Sequence, residues 1–151
     1  MVSLGTNAGE RIDVAETTTA AAYVNAGAGD DTVRYAGDHS TVLGGAGDDQ
    51  LTHLGETGDG LIVEGGTGND TLGGNGQLNG GAGDDSLTAI GSGDNVLNGG
   101  TETDRAVFSG TISAYEIRVE DGRTIVRHLN NGADGVDVLI DVEQLQFSDG
   151  V

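Results

Sequence analysis

Four times in this chain a glycine precedes a pair of polar residues ending in aspartate: Asp30-Asp31, Asp48-Asp49, Asn69-Asp70 and Asp84-Asp85. A fifth pair, Thr103-Asp104, follows Glu102. Carboxylates in glycine-rich turns suit two kinds of chemistry, proton transfer and the binding of a hard cation. Calcium takes about six to eight oxygen ligands at roughly 2.3–2.6 Å in a forgiving geometry. Carboxylates and the backbone carbonyls of Cβ-free turns supply oxygens of that kind. Magnesium fits less well because it demands octahedral geometry and gives up water reluctantly. Zinc and copper would want thiolates or clustered imidazoles. The chain has no cysteine, and His39, His53 and His128 do not stand at ligand spacing, so all three read as solvated side chains. No serine elbow, HExxH or phosphate loop occurs, and cation binding already accounts for the carboxylates. No catalysis is expected within these residues.

The aspartates belong to a repeat. Gly44-Gly45-Ala46-Gly47-Asp48-Asp49-Gln50-Leu51-Thr52 fits the nonapeptide G-G-x-G-x-D-x-U-x, where U is a large apolar residue. It returns as Gly65-Gly66-Thr67-Gly68-Asn69-Asp70-Thr71-Leu72-Gly73 and Gly80-Gly81-Ala82-Gly83-Asp84-Asp85-Ser86-Leu87-Thr88. Worn copies run Ala26-Gly27-Ala28-Gly29-Asp30-Asp31-Thr32-Val33-Arg34 and Gly99-Gly100-Thr101-Glu102-Thr103-Asp104-Arg105-Ala106-Val107. In the last, Glu102 replaces the third glycine. The sixth-position aspartates are separated by 18, 21, 15 and 19 residues, with poor copies at 35–43, 53–64, 74–79 and 90–98 between them. The good copies therefore recur once in about two repeat lengths, with irregular, mostly uncharged segments between them.

Over roughly residues 26–107 the chain resembles the RTX (hemolysin-type calcium-binding) repeat family. The resemblance implies an all-β, right-handed parallel β-roll (a β-solenoid) in which two nonapeptides make one coil, so that at this spacing the five competent turns stack along one edge and the irregular turns along the other. Six residues of each would turn and three form a strand. It implies that Asp31, Asp49, Asp70, Asp85 and Asp104 of neighbouring same-side turns share calcium ions, helped by turn carbonyls. Those turns are Ala26–Gly29, Gly44–Gly47, Gly65–Gly68 and Gly80–Gly83, with Gly99 and Thr101 in the fifth. Five turns give four interfaces, so at least four calcium ions are expected. Asp30, Asp48 and Asp84 are expected to point outward. The resemblance also implies export unfolded through a type I secretion channel and folding outside the cell.

Elementary physics agrees with a cation requirement. Strands stacked about 4.8 Å apart would hold neighbouring carboxylates at that spacing, where they repel by about 3 kcal/mol per pair at an effective dielectric near 20. Val33, Val42, Leu51, Leu72, Leu78, Leu87 and Leu97 fall at inward strand positions. With 35% hydrophobic and 3% aromatic residues, the chain can fill only a thin core. Twenty-nine glycines without a proline exclude collagen and a proline-rich linker. Twenty-five acids against six arginines give a net charge of −19, which repels nucleic acid and anionic membranes. That composition also suits a disordered solvating tail, and the repeat is what separates the two readings. No apolar run of membrane-spanning length and no secretory leader are visible.

Residues 1–25 read as starting coils without a firm cation site, with Glu10 matching the sixth position 21 residues before Asp31. Residues 108–151 read as a β cap. Within it, Tyr115–Val119 and Thr124–His128 alternate around an Asp121-Gly122 hairpin turn, and Tyr115, Phe108 and Phe147 supply a more ordinary core. A further repeat-like turn spans residues 132–140, with Asp137 as another candidate ligand. Both ends read as cuts in a longer chain. The expected function is a monomeric calcium-binding module that folds after secretion and stabilises or presents a larger extracellular protein. The alternative is an adhesin segment or polysaccharide-binding module. Ice binding is disfavoured because the outward rows Ala28, Ala46, Thr67, Ala82, Thr101 and Asp30, Asp48, Asn69, Asp84, Thr103 are broken.

Overall fold

The computed structural model describes residues 5–14, 21–55, 60–129 and 135–150. Parts of the expected N-terminal coils (1–4 and 15–20), residues 56–59 of the long second spacer, and the opening of the 132–140 repeat lie outside them.

Among the described residues fifteen strands form two sheets, and the first eleven alternate between them. One sheet is parallel throughout, in the order β1 (Arg11–Val14), β3 (Thr32–Tyr35), β5 (Gln50–His53), β7 (Thr71–Gly74), β9 (Ser86–Ala89), β11 (Arg105–Val107) and β15 (Gln144–Gln146). The other runs parallel through β2 (Tyr23–Ala28), β4 (Thr41–Ala46), β6 (Ile62–Thr67), β8 (Gln77–Ala82), β10 (Val96–Thr101) and β14 (Val136–Ile140). It then continues antiparallel into β13 (Arg123–His128) and β12 (Tyr115–Glu120). This is a parallel β-solenoid of about five turns. A single 3₁₀ turn, Ile112–Ala114, precedes β12. No helix among the described residues is long and apolar enough to cross a membrane.

Two columns of side chains fill the coil. Ile12, Val33, Leu51, Leu72, Leu87 and Ala106 are in register in one sheet. Val24, Val42, Val63, Leu78, Leu97 and Leu139 are in register in the other. All are buried, and each large one stabilises the coil by roughly 1.5–3 kcal/mol. All seven inward positions read from the sequence are among the buried residues.

The turns are tighter than the six residues expected. The first three positions of each repeat prolong the strand: Gly44-Gly45-Ala46 ends β4, and Gly45 pairs with Gly66 and Ala46 with Thr67. Only Gly47, Asp48 and Asp49 turn. Gly45 and Gly47 allow this with φ of 121° and 126°, in the region L side chains avoid. The spacer lengths matter little, because a long second spacer and a short third one leave the strands in register.

The Asp121-Gly122 turn is as expected, with φ of 50° and 77° joining β12 to β13. Phe108, Tyr115 and Phe147 pack with centroids 5.3–5.4 Å apart. His53 corrects the reading of all three histidines as solvated. It is 2% exposed, beside Tyr35 at 5.2 Å between ring centroids. His39 is exposed as expected, while His128 is half-buried edge-on against Tyr115. Position 53 lies inward, in register with buried Tyr35 on the preceding strand.

Candidate functional site

The five turns joining the second sheet to the first stack along one edge, which brings the five expected aspartates into one column. Each is at most 2% exposed. Asp31 N–H donates to Asp49 Oδ1 (2.8 Å), Asp49 N–H to Asp70 Oδ1 (2.8 Å), Asp70 N–H to Asp85 Oδ1 (2.7 Å) and Asp85 N–H to Asp104 Oδ1 (2.8 Å). The column continues past both ends of the repeat. Glu10 N–H donates to Asp31 Oδ1 at 2.7 Å, and Asp104 N–H donates to Glu143 Oε2 at 2.8 Å.

Glu143 was not among the residues singled out from the sequence. Its signal was present: Glu143-Gln144-Leu145 repeats the acid–x–apolar ending of Asp104-Arg105-Ala106. The β12–β13 hairpin separates the two by 39 residues and hides the period.

The second carboxylate oxygen behaves differently. Oδ2 of Asp31, Asp49, Asp70, Asp85 and Asp104 is buried without a hydrogen-bond partner among the described residues. Four of these oxygens border a space over the first glycine of their own repeat. A Cβ on Gly44 would collide with Asp49 Oδ2 and stand 2.7 Å from the Gly65 carbonyl oxygen. Gly65 stands likewise between Asp70 Oδ2 and the Gly80 carbonyl (2.6 Å), and Gly80 between Asp85 Oδ2 and the Gly99 carbonyl (2.6 Å). Gly99 is enclosed by Asp104 Oδ2 and the Asp141 carbonyl. Ala26, buried, stands at this position in the first repeat. Each of the four spaces thus faces two acceptors, one formally charged. Among the described residues no three His, Cys, Asp or Glu side chains form a group able to hold a metal, so carbonyls would have to complete any ligand set.

Burial is the main force on these carboxyls. It pushes Asp49 and Asp85 up to about 6 and Asp70 up to about 7, with neighbouring carboxylates adding to the rise and the amide hydrogen bonds opposing it. Asp31 and Asp104 are raised for the same first cause.

The fifth positions point outward as expected and form a second ladder. Asp48 N–H donates to Asp30 Oδ1, Asn69 N–H to Asp48 Oδ1, Asp84 N–H to Asn69 Oδ1 and Thr103 N–H to Asp84 Oδ1, all at 2.8–2.9 Å. Positive φ recurs through the turn glycines (Gly27, Gly29, Gly47, Gly66, Gly68, Gly81, Gly83), and Glu102 adopts it too, at 86°.

Asp137 does not join the column. It lies on the opposite edge, where its Oδ1 accepts from Asn95 N–H (3.0 Å) and from Asn95 Nδ2 (2.7 Å). Asn95 Nδ2 also donates to the Gly93 carbonyl at 2.9 Å. On that edge an amide nitrogen bridges a carboxylate and a carbonyl.

No protein-family model matches the chain, and no curated protein matches it either.

Proposed function

We propose that this chain is a calcium-binding module of the RTX type, which becomes compact when calcium enters the carboxylate column. The observation that carries the reading is the row of five buried Oδ2 atoms without a hydrogen-bond partner among the described residues, four of them (Asp49, Asp70, Asp85, Asp104) facing a backbone carbonyl across a glycine. Two lone-pair oxygens in that relation repel unless a proton or a cation lies between them. The donor set, hard oxygen throughout, suits calcium. Asp49 with Gly65, Asp70 with Gly80, Asp85 with Gly99, and Asp104 with Asp141 would hold it, and Asp31 and Glu143 extend the column. Calcium supplies positive charge to a buried acidic row; the chain supplies the register that keeps that row together.

When free calcium is ten times a site's dissociation constant, each ion stabilises the folded form by about 1.4 kcal/mol. Four ions then give about 6 kcal/mol, comparable with the whole stability of a typical domain. Such a chain would stay open where calcium is scarce and close outside the cell, in keeping with export unfolded. In this reading β12, β13 and β15 cap the C-terminal end of the roll, and the module stabilises or presents a larger secreted protein.

Equilibrium dialysis against calcium tests the proposal. Four or more ions per folded chain are expected, and a folded chain that takes up none contradicts it.

A second reading, recognition of an anionic polysaccharide, is favoured by one feature. Arg11, Arg34 and Arg105 are all exposed on the outer face of the seven-stranded sheet, among Thr32, Gln50, Thr71 and Ser86. Four bound calcium ions would also lower the opposing charge from −19 to −11. Glycan-array binding at saturating calcium, lost when Arg34 and Arg105 become serine, separates this reading from the first.

A further inference from the structure

Strand β12 ends the eight-stranded sheet, so one of its edges pairs with no described strand. Such an edge is a template for another strand unless something blunts it. On one face β12 carries Tyr115, Ile117 and Val119; Tyr115 is buried, while Ile117 is 39% and Val119 73% exposed. On the other face stand Glu116, Arg118 and Glu120, where Arg118 pairs with Glu116 of the same strand. The surroundings differ from the rest of this polyanion. Residues 106–129 contain three acids (Glu116, Glu120, Asp121) and three arginines (Arg118, Arg123, Arg127), so this segment is electrically neutral. Two molecules of net charge −19 meet least repulsion here.

We propose that a second copy of this chain pairs antiparallel with β12 about a two-fold axis centred on Ile117. Residues directly opposite in an antiparallel pair share a face, so only registers that match apolar to apolar are open. Centring on Glu116 sets it against its own copy, acid to acid. Centring on Arg118 opposes two arginines and sets Glu116 against Glu120. Centring on Ile117 sets Glu116 against Arg118 twice, Tyr115 against Val119 twice, and Ile117 against itself. Centring on Val119 also opposes Arg118 to Glu120, but it sets Ile117 against Asp121 beyond the strand. The Ile117 register is the one that pairs residues 115–119 entirely within β12 without opposed like charges and covers both exposed apolar side chains. The contact is isologous and small, so the dimer is weak and concentration-dependent. It departs from the monomer expected from the sequence, and it does not depend on the calcium reading.

Sedimentation velocity with calcium in excess tests it, with circular dichroism showing that each variant is folded. The wild-type chain is expected to double in mass as concentration rises. Arg118→Glu alone, which opposes acids, and Glu116→Arg alone, which opposes arginines, should each remain monomeric. The two single variants mixed should form a heterodimer, and a chain carrying both changes should dimerise again. A wild-type chain that stays monomeric up to about 1 mM, the weak end of specific association, overturns the proposal. So do single variants that dimerise like wild type, or a mixture that fails to pair.

Discussion

Asp70 accepts the Asp49 amide with Oδ1 and turns Oδ2 toward the space beside the Gly80 carbonyl. Replacing that oxygen with an amide nitrogen isolates what the charge contributes. The opposite edge already has this arrangement, where Asn95 Nδ2 bridges Asp137 and the Gly93 carbonyl. Asp70→Asn should therefore raise stability in chelator by about 1–3 kcal/mol, because an unsatisfied buried charge is removed. The variant should also bind fewer calcium ions, and its larger β signal in chelator by circular dichroism and its smaller uptake in equilibrium dialysis would show both effects.

The pH dependence follows from the same column. Unfolded, these carboxyls titrate near 3.8; folded, Asp49 and Asp85 titrate near 6 and Asp70 near 7. Between those limits the folded chain holds protons that the unfolded chain has released. Their contribution to stability is complete below the unfolded value and is lost as pH rises through 6 to 7. In chelator the folded fraction, read by circular dichroism, should be higher at about pH 5 than at about pH 8. With calcium the trend should weaken or reverse, since protons then compete with the ion. A folded fraction in chelator that rises from acid to alkaline pH would contradict the burial argument.

The aspartates were legible in the sequence because each sits at a fixed place in a repeated word. Glu143 was not, since the inserted hairpin breaks the count. Asp137 was read as a further candidate ligand or a turn aspartate capping the roll, because its nonapeptide alone does not reveal the edge it occupies.

Among elements, the apolar alternation of the strands was readable, and so was the Asp121-Gly122 hairpin. The boundary between strand and turn was not. Gly44-Gly45-Ala46 has turn-like composition, and only pairing with the neighbouring coil makes it strand. That pairing gives Gly44, Gly65, Gly80 and Gly99 a role beyond flexibility, because each leaves open the space between a carboxylate and the next coil's carbonyl. Gly65→Ala should fill one such space without adding charge. Isothermal titration should show the loss of one calcium site and a folded state destabilised by about 1–3 kcal/mol from overpacking. Unchanged stoichiometry would place the ions elsewhere in the turns.

For the whole molecule, two facts pull in opposite directions. A thin core of Val, Leu and Ile columns favours closure, while a net charge of −19 with carboxylates stacked one coil apart resists it. Parallel coils do not fold piecemeal, because each buries its apolar face only against its neighbours. A cation that relieves one edge therefore acts on every coil together. The solenoid form was legible through the repeated nonapeptide and the family that it resembles. The edge-on position of β12 was not, because it depends on where the hairpin leaves the roll. The most direct measurement is far-UV circular dichroism of the purified chain, first dialysed exhaustively against EDTA and then titrated with calcium. The account predicts little ordered strand in EDTA and a cooperative gain of β signal on adding calcium. An identical, fully β spectrum in both conditions at neutral pH would contradict it.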